Sequence, residues 1–303
     1  MVKNFAYKDI KWVDLENPKI DEIEDLIEEF ELQVTASEIS EPAVRPKVDL
    51  YDNHIFLILN FPILDPRSGK ITSREIDFII GKYFLITTHY KNVPALHNLQ
   101  EIFKYESLLT STKKKLHAGY LFFLIMRHLY ASLEDEIDYL TQHLEKIEDS
   151  IFRGKQHEMV THLSVLGRQI IDLRRAIKNH SQILNSFQTA AIEFYGKEFY
   201  HYTSSILGEF NKMWDTTELL KDSLIELRVT NDSLLTTRTN DIMKFLTIMA
   251  FVTFPLSLIA GIFGMNTINT PIVGQPLDFW MIIGIMFTLT LVFFLFFKYK
   301  KWL

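Results

Sequence analysis

Two uncharged apolar runs near the end of the chain, Phe245 to Phe263 and Phe279 to Phe297, restrict what it can fold into more than any other feature. Each holds 19 residues, and at about 1.5 Å per residue each reaches the roughly 30 Å of a bilayer core. They are read as two transmembrane helices; the alternative, a pair of buried core helices, conflicts with the rarity of such uncharged lengths in soluble cores. The run Tyr120 to Met126 is as apolar but stops at Arg127, so it is too short to span and reads as a core helix. Arg238 and Lys244 precede the first run, Lys298, Lys300 and Lys301 follow the second, and residues 264–278 contain neither lysine nor arginine. By the positive-inside rule the chain is expected to be multi-pass in the cell (inner) membrane with both termini cytoplasmic. Trp280, Tyr299 and Trp302 stand where interfacial anchors belong, and Pro255 inside the first run is expected to bend or loosen its helix.

The remainder of the 303 residues is enough for a separate soluble part. Without cysteine, disulfides, thiolate metal sites and cysteine nucleophiles are all excluded. The net charge is −6; residues 240–303 hold four lysines against Asp241 and Asp278, or +2, which leaves −8 for residues 1–239. An acidic surface repels nucleic acid and gathers cations, so no nucleic-acid partner is expected. The opening Met1 to Tyr7 has no apolar core of a cleavable signal, and the chain is expected to begin in the cytoplasm.

Ile10 to Leu15 alternates like a strand, Ile20 to Phe30 has helical spacing, and His54 to Leu64 and Ile76 to His89 are rich in β-branched and aromatic residues. Turn signals at Asp65 to Lys70 and Gly81-Lys82 imply a meander of hairpins with helices packed on it. Beyond Leu116 the pattern is helical: Ile137, Leu140, Leu144, Ile147 and Ile151 form a heptad-like seam that Leu166, Ile170, Leu173 and Ile177 continue on a second helix. A third long helix is expected from near Ser205 to Phe263, nearly sixty residues or roughly 85–90 Å. It needs neighbours, from this chain or from other copies, to cover its apolar face. The expected fold class is an α+β cytoplasmic domain, a small sheet with packed helices, followed by a long stalk helix and two C-terminal transmembrane helices. The expected divisions are a cytoplasmic α/β domain at 1–116, a helical hairpin region at 117–204, a stalk and first span at 205–263, an external loop at 264–278, and a second span with tail at 279–303.

The first run ends Phe263-Gly264-Met265-Asn266. A hard cation that keeps its water is best held by neutral oxygens that accept hydrogen bonds from the bound waters. A ring of Asn266 carboxamides and Gly264 carbonyls at a pore mouth meets that need, with Gly264 letting the backbone leave the helix. Met265 suits packing, since a thioether is a poor partner for a hard cation. The bland alternative is that Gly264-Met265-Asn266 is only a helix C-cap.

Steps of three and four residues back from Asn266 give one helix face, Gly261, Ser257, Phe254, Ala250, Leu246, Met243 and Asn240, the expected pore lining. It is small or polar at its ends and apolar between, as a wet mouth, a dewetting constriction and a polar exit require. Further down, the stripe meets Thr236, Ser233, Val229, Glu226 and Asp222; the two acids are either a cytoplasmic acidic ring or a solvated helix face.

An aromatic residue before Gly-Met-Asn at the outer end of the first of two C-terminal spans, followed by a short loop and the lysine-rich tail Lys298 to Leu303, resembles the CorA family of magnesium transporters. The resemblance implies a homopentamer with a shared pore, and passive influx of Mg2+ with Co2+ and Ni2+ as passengers. It supports Asn240, Met243, Leu246, Ser257, Gly261 and Asn266 as pore positions and makes Phe254 a departure. Relatives place an acidic ring where Val229 stands, and use acids for magnesium gating where Tyr202 to Gly208 has none; either magnesium feedback is weak here or it relies on other residues such as Asp215 and Glu218. A branch of the family moves Zn2+, with proton coupling conceivable, so zinc is the alternative cargo; a membrane-tethered scaffold that transports nothing is the other. The ten histidines are scattered, with His157 and His162 five apart, and no phosphate-binding glycine loop occurs. Neither an enzyme nor a resident cofactor is expected; the partners are divalent cations, membrane lipid and further copies of the chain.

Overall fold

A computed structural model describes residues 2–7, 10–40, 46–65, 68–104, 117–265, 271–300 and 302. The chain divides into two compact units, Met1–Arg228 and Val229–Leu303.

In the first unit, strands β1 (Val2–Tyr7), β2 (Ile10–Glu16), β3 (Val48–Leu50), β4 (His54–Asp65), β5 (Lys70–Gly81) and β6 (Phe84–His89) form one sheet in the order β1-β2-β6-β5-β4-β3. Strands β3 to β6 are the antiparallel meander that the turn signals imply. Strand β2 breaks the meander: it lies parallel to β6, with Trp12 opposite Leu85 and Val13 opposite Ile86, while β1 folds back antiparallel on its outer side. A parallel pair needs a long crossover, and the whole stretch between β2 and β6 supplies it.

Helices cover both faces of the sheet. On one face α1 (Ile20–Glu29) and α2 (Ala36–Ser40) place Ile23, Leu26 and Ile39 against Val13, Leu15, Phe56, Ile58, Ile79 and Ile86. Glu22 holds the start of α1 by accepting the Lys19 N–H at 2.9 Å. The other face meets α3 (Pro94–Lys104), α4 (Ala118–Phe152), α5 (Gln156–Ile177) and α6 (His180–Tyr195). There Phe122 of α4 packs edge-on to Phe78 of β5 at 5.2 Å and tilts against Phe187 of α6 at 4.7 Å. With both faces covered, the central strands lose their polar side: Trp12, Val13 and Leu15 are 0% exposed and Asp14 is 1%. The alternation read at Ile10 to Leu15 therefore does not mark a solvated face.

The apolar run at Tyr120 to Met126 lies in α4, with Leu121, Phe122, Ile125 and Met126 buried. Ile137, Leu140, Leu144, Ile147 and Ile151 are buried along the rest of α4, as are Leu166, Ile170, Leu173 and Ile177 along α5. The two helices reverse at Gly154, whose φ of 92° suits a residue without Cβ. The Gly154 N–H donates to the Ile151 carbonyl at 3.1 Å and the Lys155 N–H to Ser150 at 3.1 Å, which satisfies the end of α4.

Where two helices were expected before the stalk, the structure has three. Helix α6 buries His180, Leu184, Phe187 and Ala191 at steps of four, three and four, with Ile183 and Ala190 beside them, so the apolar spacing runs on from α5 and hides the break between the two helices. Its first residue, His180, is 0% exposed; Nδ1 lies 2.8 Å from the Tyr130 hydroxyl and Nε2 2.8 Å from the Asn60 carbonyl. Burial pushes this imidazole down to about 4. As a neutral ring it accepts from Tyr130 and donates to Asn60, which pins α6 to α4 and β4.

Helix α7 runs Tyr200–Phe263, 64 residues with Pro255 inside, and begins before the expected Ser205. Helix α8 spans Asp278–Tyr299, 22 residues.

Candidate functional site

Helices α7 and α8 both carry windows apolar enough to cross a membrane, with mean hydropathy 2.2 and 2.5, and almost none of either window is buried within the chain. That combination separates them from core helices such as α4, whose apolar residues are covered. An apolar helix left uncovered by its own chain needs lipid or other copies around it.

Within the second unit, the span of α7 has one covered side. Ile248 is buried, and Val252, Pro255, Ile259 and Phe263 are half-buried at intervals of four and three residues. The Phe251 and Phe297 rings meet at 6.3 Å, so this side is the one turned toward α8. The residues of the expected pore stripe lie mostly elsewhere on the helix. Met243 is 57% exposed, Leu246 54% and Phe254 73%; Asn240, Ser257 and Gly261 are also exposed and Ala250 is half-buried. At 100° per residue the stripe from Leu246 to Gly261 falls roughly opposite the side turned to α8. One chain brings no two of these side chains together across a channel, because all of them sit on a single helix. The lower acids lie on the same helix, both exposed, with Asp222 3.3 Å from the Lys221 ammonium.

Helix α7 stops at Phe263. The Gly264 N–H donates to the Ala260 carbonyl at 2.9 Å and the Met265 N–H to Ile262 at 3.3 Å, closing the last turn. Gly264 does not adopt a left-handed φ, so its value lies in close approach: a Cβ there would stand 2.9 Å from the Ala260 oxygen. Met265 is 60% exposed. Asn266 lies outside the described residues, as do Lys301 and Leu303 of the tail.

The acid of the expected external loop, Asp278, is engaged locally. One carboxylate oxygen accepts the Gly274 N–H at 3.0 Å and the other the Phe279 N–H at 2.6 Å, which places a negative charge in the first turn of α8. Both of its carboxylate oxygens are thus engaged by backbone N–H groups. Of the acids named as substitutes in gating, Glu218 is paired with Arg174 and, at 3.0 Å, with Lys221, whereas Asp215 is exposed. Among the described residues no group of three histidine or acidic side chains is placed to hold a metal ion directly.

Trp302 was read only as an anchor. In the structure it stacks on Phe297 at 6.0 Å and closes a groove of about 440 Å3 with Thr237, Asn240, Asp241, Lys244 and Thr247 of α7. Only the fold brings residue 302 back to residues 237–247, so no local pattern signals this groove.

Known proteins carry the same design. A relative from Thermotoga maritima, named a cobalt/magnesium transport protein CorA, is 26% identical over 262 residues, covering 86% of this chain and 73% of its own. The complete structure of the CorA magnesium transporter from Methanocaldococcus jannaschii superposes with a TM-score of 0.82 at 19% identity, over 99% of this chain and 94% of that one. The ZntB cytoplasmic domain from Vibrio parahaemolyticus matches with a TM-score of 0.53 at 14% identity, over 77% of this chain and 90% of that one. The model of the CorA-like Mg2+ transporter protein family fits residues 7–300. With nearly the whole length matched and both apolar helices included, the chain belongs to the CorA family and is a divalent cation transporter of the membrane.

Proposed function

We propose that this chain is one subunit of a homo-oligomeric channel for passive influx of Mg2+, with Co2+ and Ni2+ as lesser passengers. Five copies surround one pore, both termini face the cytoplasm, and residues 264–278 face outward. The observation that carries the reading is the exposed stripe on α7, Met243, Leu246, Phe254, Ser257 and Gly261, turned away from α8 and ending at Gly264. One span per chain encloses nothing, so a pore needs several copies, and the stripe offers the face they share. Gly264 carbonyls and Asn266 carboxamides select the ion through its bound waters. Leu246 and Ala250 form an apolar narrowing that gates by dewetting, and Asn240 lines the inner exit. Phe254, as the largest exposed ring, narrows the path midway.

The driving force is voltage and gradient, because a divalent cation moving inward gains about 4.6 kcal/mol per 100 mV. Zinc is the second reading, with which the fold shared with ZntB is compatible. A liposome flux assay comparing Mg2+, Zn2+ and Co2+, with and without a proton gradient, separates the two. Magnesium flux independent of the proton gradient is expected; zinc flux that follows it favours the second reading. Asn266→Ala is expected to abolish magnesium uptake in a magnesium-auxotrophic host while expression and assembly persist. Normal growth of that variant removes the role given to the motif.

A further inference from the structure

Strand β4 outruns its outer neighbour. Strand β3 pairs only with Ile55 to Leu57, and the Lys47 carbonyl accepts the Ile58 N–H at 3.0 Å; from Asn60 onward the backbone on that side of β4 meets no strand. Side chains of the helices take the open groups instead. His180 of α6 donates to the Asn60 carbonyl, and Glu136 Oε1 of α4 accepts the Leu64 N–H at 3.2 Å. Pro62, between the two, brings no N–H of its own.

The other carboxylate oxygen, Glu136 Oε2, is buried and has no hydrogen-bond partner among the described residues. Beside Glu136 lies a cavity of about 100 Å3 between β4, α4 and the start of α3. Strand β4 lines it with Phe61 to Leu64, the start of α3 with Val93 to Ala95, and α4 with Leu129, Ser132 and Leu133, so no other ionisable side chain faces Glu136 across it. The neighbouring charges turn elsewhere. Glu134 pairs with Lys212 at 2.6 Å, Asp135 of α4 and His97 and Glu101 of α3 are exposed, and Asp65 accepts from the Ser68 hydroxyl at 2.7 Å. A carboxylate oxygen that meets neither a donor nor water carries charge at high cost, and a proton removes that cost. Burial accordingly pushes the group from its ordinary 4.5 up to about 7, with the Leu64 N–H working against the rise. The cavity has room for several waters, so a carboxylate that turns into it is solvated.

We infer that Glu136 is a proton-operated clasp on the free edge of β4: protonated, it holds Leu64 and keeps α4 against the strand; ionised, it turns into the adjacent cavity, takes up water and releases Leu64. A metal ion is no rival for the proton, since no second acid or histidine lines the cavity. The inference concerns the first unit alone and holds whichever ion crosses the membrane. Closing the clasp raises the affinity of Glu136 for its proton, so its stabilisation is full below 4.5 and is lost as pH rises to about 7. Local opening therefore increases by up to about tenfold per pH unit over that interval and levels off above it.

The test is hydrogen exchange of the full purified chain in detergent micelles, read at single amides by mass spectrometry and corrected for the intrinsic effect of pH. Opening at the Leu64 amide is expected to grow about 40-fold between pH 5 and pH 7 and about twofold more by pH 8. Ile58, on the same edge but bonded to Lys47, is expected to stay constant. Glu136→Gln, neutral at every pH and still able to accept from Leu64, is expected to hold Leu64 at its low-pH protection throughout. The infrared band of a protonated carboxyl, taken as the difference between the natural chain and Glu136→Gln, is expected to fall to half its height near pH 7. Parallel changes at Leu64 and Ile58 overturn the proposal, because the opening is then not local to the clasp, and that comparison needs no variant. A pH dependence that survives in Glu136→Gln overturns it too, as does an infrared midpoint at the ordinary carboxyl value. None of these readings involves ion flux, so their failure leaves the pore reading untouched.

Discussion

At the scale of residues, two buried aspartates in the sheet behave in opposite ways. Asp14 accepts from the Thr87 hydroxyl at 2.5 Å and the Gln100 amide at 2.6 Å, with His89 Nε2 at 3.4 Å. Burial works against its charge, but the hydrogen bonds and the His89 partner outweigh it and hold its carboxyl below the ordinary 3.8. Burial likewise opposes charge on His89, yet Asp14 and the Lys91 carbonyl raise it above 6.5. The stabilisation from Asp14 is therefore present above pH 3.8 and lost as pH falls through its depressed value; that from His89 is present below 6.5 and lost as pH rises through its raised value. Asp14→Asn, which strands a buried cation, is expected to cost about 3–5 kcal/mol by denaturant unfolding of the purified chain, most of it between those limits. Asp77 has the reverse logic. Among the described residues only Thr88 donates to it, at 2.9 Å, and its other oxygen has no partner; burial with Glu75 nearby pushes it up to about 8. Folding favours its neutral form, so its contribution is full below 3.8 and falls as pH rises to about 8. Asp77→Asn is expected to raise the melting temperature at pH 8 and leave it nearly unchanged at pH 4; equal shifts at both pH values would show that charge burial is not the cause.

At the scale of elements, helix α7 combines two environments in one unbroken run. Leu220, Leu224 and Leu227 are buried in its lower part, whereas Leu246, Phe254 and Leu258 are exposed in its span. A helix that is apolar all round in one half and seamed in the other is what a membrane entry demands. In the pore reading, Leu246 belongs to the dewetting constriction, and a hydroxyl there lowers the cost of wetting it. Leu246→Ser is expected to raise conductance severalfold in planar bilayers; an unchanged current tells against the register of the stripe. Element placement was legible where periodicity was strong, as in α4 and α5. It was missed at β1 and at the break between α5 and α6, where the spacing of four and three residues runs on from Leu173 and Ile177 to His180, Leu184 and Phe187. The strand read at Ile10 to Leu15 is β2, although it is covered on both sides and keeps no solvated face.

At the scale of the whole molecule, the exposed apolar surface of both spans is the governing fact. Covered by lipid alone it makes a monomer; covered partly by copies of itself it makes a pore. The 35.6 kDa chain is expected to run in light scattering as an assembly of five copies in mild detergent. A monomer in bilayers as well as in detergent would leave the transport pathway without walls.

The amino-acid sequence alone determined the membrane character, because 19 uncharged residues are a property of the chain itself and no packing arrangement changes it. It also placed Gly264-Met265 where the first span ends, because the uncharged apolar run stops at Phe263. Tertiary structure decided what depends on distant residues meeting. Such are the parallel pairing of β2 with β6, the neutral His180 between Tyr130 and Asn60, the partners that charge Asp14 and discharge Asp77, and the return of Trp302 to Lys244. Each arises from groups tens to scores of residues apart, and burial and hydrogen bonding act through space, where sequence periodicity carries no information.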